Sequence, residues 1–296
     1  MPKNKISMNN HELDKKLQRL YKSINDILPT VIDFETFSLE VDKSGASIYR
    51  SEEQLLFSKN KVFNEIQQKY SPAFVIDIGA NVGFSTLVFS QAFSEAQIIT
   101  VEPNLNLVDF IERNCKNNGI NNVQIIQKVV GENHSGYVSF LINQVMSVDS
   151  RVHGLKGDYD SLTVEETSID QLITDLQCVK EDTIFIKIDT QGFEERVING
   201  ARKTLDDFSN YCVMMEFAPF WLMEAGTDPV LFLQKLCTSY NVCEFPSTML
   251  YFQDTLDEIQ KKTLSEADAK DFTNYTKSLR RNEKGWCDLM IFRNEE

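Results

Sequence analysis

The sequence contains no run of 18 or more apolar residues, so it offers no segment that reads as a membrane-spanning helix. Its start, MPKNKISMNNHELDKK, lacks the apolar stretch of a secretory leader, and a cytoplasmic location is expected. The six cysteines (Cys115, Cys178, Cys212, Cys237, Cys243 and Cys287) include no C-x-x-C pair, and no Cys/His cluster has zinc-finger spacing. Neither a disulfide framework nor structural zinc is expected, and thiols in apolar runs such as Tyr211-Cys212-Val213-Met214 read as reduced and buried. Basic residues are outnumbered 30 to 44 by acidic ones, for a net charge of −14. Such a field repels polyphosphates and argues against a sequence-independent nucleic-acid binder. There is no internal repeat and no Pro-, Gly- or Ser-rich linker. At 296 residues the chain reads as one large domain with extensions.

What is present is an alternation of apolar runs and helix-like stretches. Leu13, Leu17, Leu20, Ile24, Ile27 and Leu28 recur at helical spacing over 11–28, and Leu55, Leu56, Val62, Phe63 and Ile66 predict one helix over 52–70. From Ala73 onward short buried strands are predicted at 74–78, 98–102, 123–126, 183–188, 211–216 and 288–292, with an edge strand at 136–140. Helices are predicted between them at 84–93, 105–118, 194–205 and 228–236, with Gly119 closing the second. Apolar strands alternating with helices imply an α/β fold, a mostly parallel sheet covered on both faces. Two stretches break the rhythm. Asn143 to Glu166 is polar and irregular, a candidate substrate loop; Gln253 to Asn282 is charged and mostly helical, readable as a surface insertion, a lid or a dimer contact.

Chemistry concentrates in Val75-Ile76-Asp77-Ile78-Gly79-Ala80-Asn81-Val82-Gly83, a strand running through a glycine turn into a helix. Gly79 permits the turn and Gly83 a close approach of the helix to a ligand or to the sheet. The spacing is G-x-x-x-G preceded by an acid, not the G-x-G-x-x-G that seats a pyrophosphate, and a nearby carboxylate would oppose an anion at the helix N-terminus. Asp77 instead suits a cationic ligand, such as the amino group or sulfonium of S-adenosylmethionine. Glu102, at the end of the next strand, suits the two hydroxyls of a ribose, and Pro103 marks where the chain leaves the sheet.

With these residues in view, the sequence resembles the FkbM-type family of class I S-adenosylmethionine-dependent methyltransferases. The resemblance rests on Ile76 to Gly83, Val101-Glu102-Pro103-Asn104, Thr167-Ser168-Ile169-Asp170, the block Ile186-Lys187-Ile188-Asp189-Thr190-Gln191-Gly192-Phe193-Glu194, and Gly200-Ala201. It spans roughly 73–245. It departs from the family at Gln191, where members often carry Glu, and at Val129-Val130-Gly131, where a small residue is common.

The resemblance implies a Rossmann-like, mostly parallel seven-stranded sheet with an antiparallel terminal strand and helices on both faces. This methyltransferase domain would occupy 71–296, with 143–166 as substrate loop and 253–282 as helical insertion, preceded by an N-terminal helical extension over 1–70. It implies S-adenosylmethionine held by Asp77, Gly79, Asn81, Gly83, Glu102, Pro103 and Asp189, S-adenosylhomocysteine as product, and methyl transfer to a hydroxyl of a sugar, glycan or secondary metabolite.

An alcohol is a poor nucleophile at neutral pH, so a proton acceptor is expected. Asp189 is the best-placed carboxylate, and also a candidate helix cap; Glu216 and His153 are further candidates, and His134 is a loop histidine of lesser interest. Asp189 with Glu216 offers oxygen ligands to a divalent cation, but no Asn or Asp adjoins Glu216 to complete a hard-ligand set, and no metal is expected. Tyr159, Phe220 and Trp221 offer flat faces for a sugar ring. Two other functions stay open: a non-catalytic cofactor-binding or regulatory protein, and an NAD(P)-linked oxidoreductase. The glycine spacing and the absence of any Tyr-x-x-x-Lys pair argue against the latter. No nucleic-acid partner and no membrane insertion are expected, and the flanking helices are compatible with a homodimer.

Overall fold

The computed structural model describes residues 10–143, 150–152, 159–245 and 254–294. The chain enters through α1 (Asn10–Ile27), a short hairpin of β1 (Val31–Asp33) and β2 (Ser38–Glu40), α2 (Glu52–Ser58) and α3 (Lys61–Tyr70). The single helix predicted over 52–70 is therefore two. Asn60 takes an extended conformation between them and caps α3, its side-chain oxygen accepting the Val62 N–H at 2.9 Å. The segment read as a helical extension also contains a β-hairpin, which alternation over only three residues per strand does not reveal.

The α/β succession follows: β3 (Phe74–Ile78), α4 (Phe84–Ala92), β4 (Gln97–Val101), α5 (Leu105–Asn117) and β5 (Val123–Ile126). After the two-residue β6 (Val129–Val130) come β7 (Tyr137–Ile142) and β8 (Asp160–Thr167), which form a separate three-stranded sheet in the order β6-β8-β7. The expectation of an irregular loop over 143–166 is corrected at its C-terminal end. Ser161, Thr163 and Glu165 point outward while Val164 and Glu166 are buried, so a strand's two-residue period runs through polar residue types.

The second half comprises α6 (Ile169–Asp175), β9 (Thr183–Ile188), α7 (Glu194–Asn199), α8 (Arg202–Asp207), β10 (Asn210–Phe217), α9 (Pro219–Glu224), α10 (Pro229–Ser239) and β11 (Asn241–Phe245). It ends with α11 (Leu256–Gln260), β12 (Thr263–Leu264), α12 (Ala269–Ser278) and β13 (Cys287–Phe292). The helix predicted over 194–205 breaks at Gly200, where a Cβ would lie 2.0 Å from the Gly131 carbonyl oxygen. Asp170 then caps α8 from outside, accepting the Thr204 N–H at 2.8 Å and its hydroxyl at 2.6 Å.

The main sheet runs β12-β11-β13-β10-β9-β3-β4-β5. β10, β9, β3, β4 and β5 are parallel neighbours, and β13 lies antiparallel between β10 and β11. This is the mostly parallel sheet with an antiparallel terminal strand, and the two-residue β12 adds an eighth strand at the edge. Strand alternation divides the core: Ile76 and Ile78 pack with Val197 and Leu233 on one face, Val75 with Phe63 and Phe89 on the other. The second cluster also takes in Ile32, Leu39, Tyr49 and Ile66, so residues before β3 share the domain's own core. The chain order reverses between β3 and β9, where a crevice opens at the carboxyl ends of open parallel sheets.

Candidate functional site

At the tip of β3 the backbone turns through Gly79 at φ +78°, its N–H donating to the Val101 carbonyl at 2.9 Å. A Cβ there would sit 1.9 Å from the Asp189 carbonyl oxygen, so glycine is what allows the tips of β3 and β9 to meet. Asn81 is left-handed at φ +54°, and its side-chain oxygen accepts the Tyr49 hydroxyl at 3.0 Å. Against this turn lies a cavity of about 860 Å³, within the size range of small-molecule and cofactor sites. Gly79, Asn81, Glu102, Pro103, Asp189 and Glu216 all line it.

Asp77 and Gly83 do not. The two-residue period of β3 sends Asp77 to the face covered by α4, alongside Val75, where its Oδ2 accepts the hydroxyls of Ser85 and Thr86, both at 2.7 Å. It is fully buried, and the Lys187 ammonium stands 3.9 Å from its Oδ1. Gly83 opens α4 at φ +86° and packs on Ile111 of α5.

Glu102 follows β4 directly. Its Oε2 accepts the Asn81 N–H and its Oε1 the Asn104 N–H, each at 2.9 Å, which ties the first glycine turn to the second strand tip. Burial pushes its carboxyl up to about 7 despite the opposing pull of those two N–H groups.

Across the turn, Asp189 accepts the Lys187 ammonium on Oδ2 at 3.1 Å and the Gln191 amide on Oδ1 at 2.9 Å. The same Gln191 amide donates to Glu216 Oε2 at 3.0 Å, so one side chain clasps two carboxylates. Its loop is held by Glu194, which accepts the Thr190 and Gly192 N–H groups, and by Gly192, whose Cβ position is filled by the Trp221 carbonyl at 2.5 Å. Burial first, and then the charges of Asp189, Glu194 and Asp288, hold the Glu216 carboxyl well above the usual range. Lys187 is held in its charged form by Asp189 and Asp77 against the cost of its burial.

Sequence reading missed Asp288. It is the second residue of β13, directly across from Glu216, and lines the cavity, and burial next to Asp189 raises it to about 7. Only the antiparallel register brings it there; locally it is one acid before an apolar run. The residues before β3 were also missed as site components, yet Tyr49, Glu53 and Phe57 line the cavity.

Tyr159 and Trp221 line the cavity as well, whereas Phe220 packs edge-on against Trp221 with ring centroids 4.6 Å apart. His134 bonds Ser168 Oγ at 2.6 Å and is not a lining residue, and His153 falls outside the described residues. All six cysteines are free, Cys115, Cys212, Cys243 and Cys287 among them buried. Among the described residues no three His, Cys, Asp or Glu side chains come together as a metal cage, and no helix is long and apolar enough to cross a membrane.

A family model for the methyltransferase FkbM domain matches residues 77–258. The solved structures similar to the chain include an FkbM methyltransferase from Methylobacillus flagellatus KT, 13% identical, with a TM-score of 0.42 over 95% of this chain and 60% of that one. The chain thus spans about 60% of that protein's length. A precorrin-6y C5,15-methyltransferase from Geobacter metallireducens GS-15 is 13% identical, with a TM-score of 0.42 over 90% of this chain and 100% of that one. The S-adenosylhomocysteine-bound methyltransferase PaMTH1 from Podospora anserina is 12% identical, with a TM-score of 0.43 over 98% and 99%. Likenesses this weak carry nothing about what the chain binds. No curated protein matches it.

Proposed function

The chain belongs to the FkbM methyltransferase family, and from that premise we propose that it transfers a methyl group from S-adenosylmethionine to a hydroxyl of a sugar, glycan or small metabolite. The observation that supports this most is the meeting of Glu102 with the clasped pair Asp189 and Glu216 in one cavity at the strand tips. The residues present fit the cofactor. Glu102 spends one acceptor site of each oxygen on a backbone N–H and retains lone pairs for a ribose diol. Gly79, Asn81 and Pro103 supply the close backbone around it, and Asp189 faces the same space. Asp77 and Gly83 serve at one remove, the first by fixing Ser85, Thr86 and Lys187, the second by seating α4.

When bound, S-adenosylmethionine supplies a methyl group on positively charged sulfur, and the protein's contribution is alignment and a proton acceptor. Asp189 takes the hydroxyl proton. Lys187 on Oδ2 and Gln191 on Oδ1 fix its rotamer while leaving further lone pairs directed at the cavity. Glu216, whose burial favours its protonated form over the charged one, is the adjacent group assigned to orienting the acceptor through the Gln191 clasp.

Calorimetry with S-adenosylmethionine and S-adenosylhomocysteine, followed by transfer of labelled methyl to extracts of the native host, tests the reading. Glu102→Gln is expected to weaken cofactor binding at least about 10-fold. Asp189→Asn is expected to keep binding within a few-fold and to slow transfer about 100-fold or more. Undetectable cofactor binding by the unaltered protein, or two variants indistinguishable from it, would overturn the proposal.

A further inference from the structure

Tyr49 lines the cavity from outside the family-matched region and bonds directly to the glycine turn. It sits in a single turn of tight helix, Ile48–Arg50, and is 5% exposed. Its ring packs on that of Phe84, the first residue of α4, with centroids 5.7 Å apart. The turn that carries it is held by other groups. The Arg50 guanidinium donates to the carbonyls of Ala46, Pro29 and Val31, and the Asn25 amide joins Ser44 to Ser47. The Tyr49 hydroxyl is therefore not needed to build its own segment.

What the hydroxyl does is complete a chain of hydrogen bonds. It donates to Asn81 Oδ1 at 3.0 Å, and the same oxygen accepts the Val82 N–H at 3.0 Å. Two donors from separate segments thus fix the Asn81 side chain, and with it a left-handed backbone at φ +54° that residues with a Cβ seldom adopt. From that backbone the Asn81 N–H reaches Glu102 Oε2 at 2.9 Å. Burial, and then the charges of Asp42, Asp189, Glu102 and Asp77, hold the Tyr49 hydroxyl in its protonated form, so it stays a donor.

We infer that Tyr49 is a positioning residue of the cofactor site: its hydroxyl holds Asn81 where the Asn81 N–H meets Glu102, and thereby aims the carboxylate proposed to bind the ribose. This deepens the proposed function and rests on it for the ligand, while the chain from Tyr49 through Asn81 to Glu102 is measured without one. A carboxylate that accepts a fixed N–H is favoured in its ionised, diol-binding form, and the Asn81 and Asn104 N–H groups both act on Glu102 in this sense. Of the charges that reach Glu102, Asp77 opposes its ionisation and Lys187 favours it.

Tyr49→Phe removes one oxygen and leaves the ring on Phe84. S-adenosylhomocysteine is titrated calorimetrically into the full chain, Tyr49→Phe, Glu102→Gln and the double variant between pH 6 and pH 8. Tyr49→Phe is expected to weaken binding about 5-fold at pH 7. It is also expected to move the midpoint of the pH dependence up by about half a unit, since Glu102 loses an N–H that favours its charged form. In the Glu102→Gln background the same exchange is expected to cost less than about twofold, because both residues act through one chain of bonds. Without ligand, the Asn81 amide proton is followed by NMR over the same pH range. It is expected to titrate with Glu102 in the unaltered protein and to lose most of that excursion in Tyr49→Phe. A merely structural hydroxyl would lower the melting temperature and leave the dissociation constant, the midpoint and the Asn81 titration in place. That result, or equal losses of affinity in both backgrounds, would overturn the inference. An unaltered protein that does not bind S-adenosylhomocysteine would remove the cofactor reading instead, and the Asn81 titration then decides the role of Tyr49 alone.

Discussion

Glu102 carries opposite consequences for folding and for binding. Its carboxyl is raised to about 7 from an ordinary 4.5, so between those values the folded protein holds a proton that the unfolded chain has lost. A ribose diol, by contrast, donates to the ionised form. Affinity for S-adenosylhomocysteine is therefore expected to strengthen several-fold from pH 6 to pH 8 in calorimetric titrations, and Glu102→Gln is expected to flatten that profile. Gln191 makes the second residue-scale case. Exchanging it for Glu removes both amide donations and adds a third carboxylate between Asp189 and Glu216. Urea denaturation should show a loss of about 1–3 kcal/mol. The sequence told which acids stand at strand ends but not which way each faces. Asp77 and Glu102 look equivalent in one dimension, yet α4 claims the first through Ser85 and Thr86 while backbone N–H groups hold the second at the cavity wall.

Among the elements, the long apolar strands and the helices between them were readable because burial on both faces imposes continuous apolar runs at β3, β4, β9 and β10. Breaks within helices were not. Gly200 looked like an ordinary interior residue of a helix over 194–205, and what ends α7 there is contact with Gly131, far away in sequence. Gly200→Ala keeps an allowed backbone at φ −80° but drives a methyl into that carbonyl. A loss of about 1–3 kcal/mol is expected in denaturant titrations, as for overpacked cores. Likewise β8 escaped notice because its outward residues and several inward ones are polar. Pairing with β7 over Tyr137 to Ile142 decides it.

For the molecule as a whole, residues before β3 belong to the domain in energetic terms. Phe63 of α3 contacts Phe89, Phe93, Phe185 and Phe245 through its ring, and Tyr49 and Phe57 complete the cavity. A protein starting at residue 71 is expected to lose its cooperative melt and to accumulate in the insoluble fraction, which circular dichroism and fractionation would register. Stability should also depend on pH in a stated direction. Glu102 and Asp288 are both raised to about 7, so the folded form binds protons more tightly and gains stability as pH falls through 7 toward the ordinary carboxylate range. Scanning calorimetry should find a melting temperature about 5 °C higher at pH 6 than at pH 8. The sequence by itself determined the alternation of the long buried strands with helices from β3 onward, the glycine turn and the family, because each is written in local periodicity or in contiguous residues. Tertiary structure alone decided that Asp288 stands across from Glu216, that Asp77 turns away, and that Tyr49 bonds Asn81. Each of those depends on register or on packing between segments distant in the chain, and local residue pattern carries no record of either.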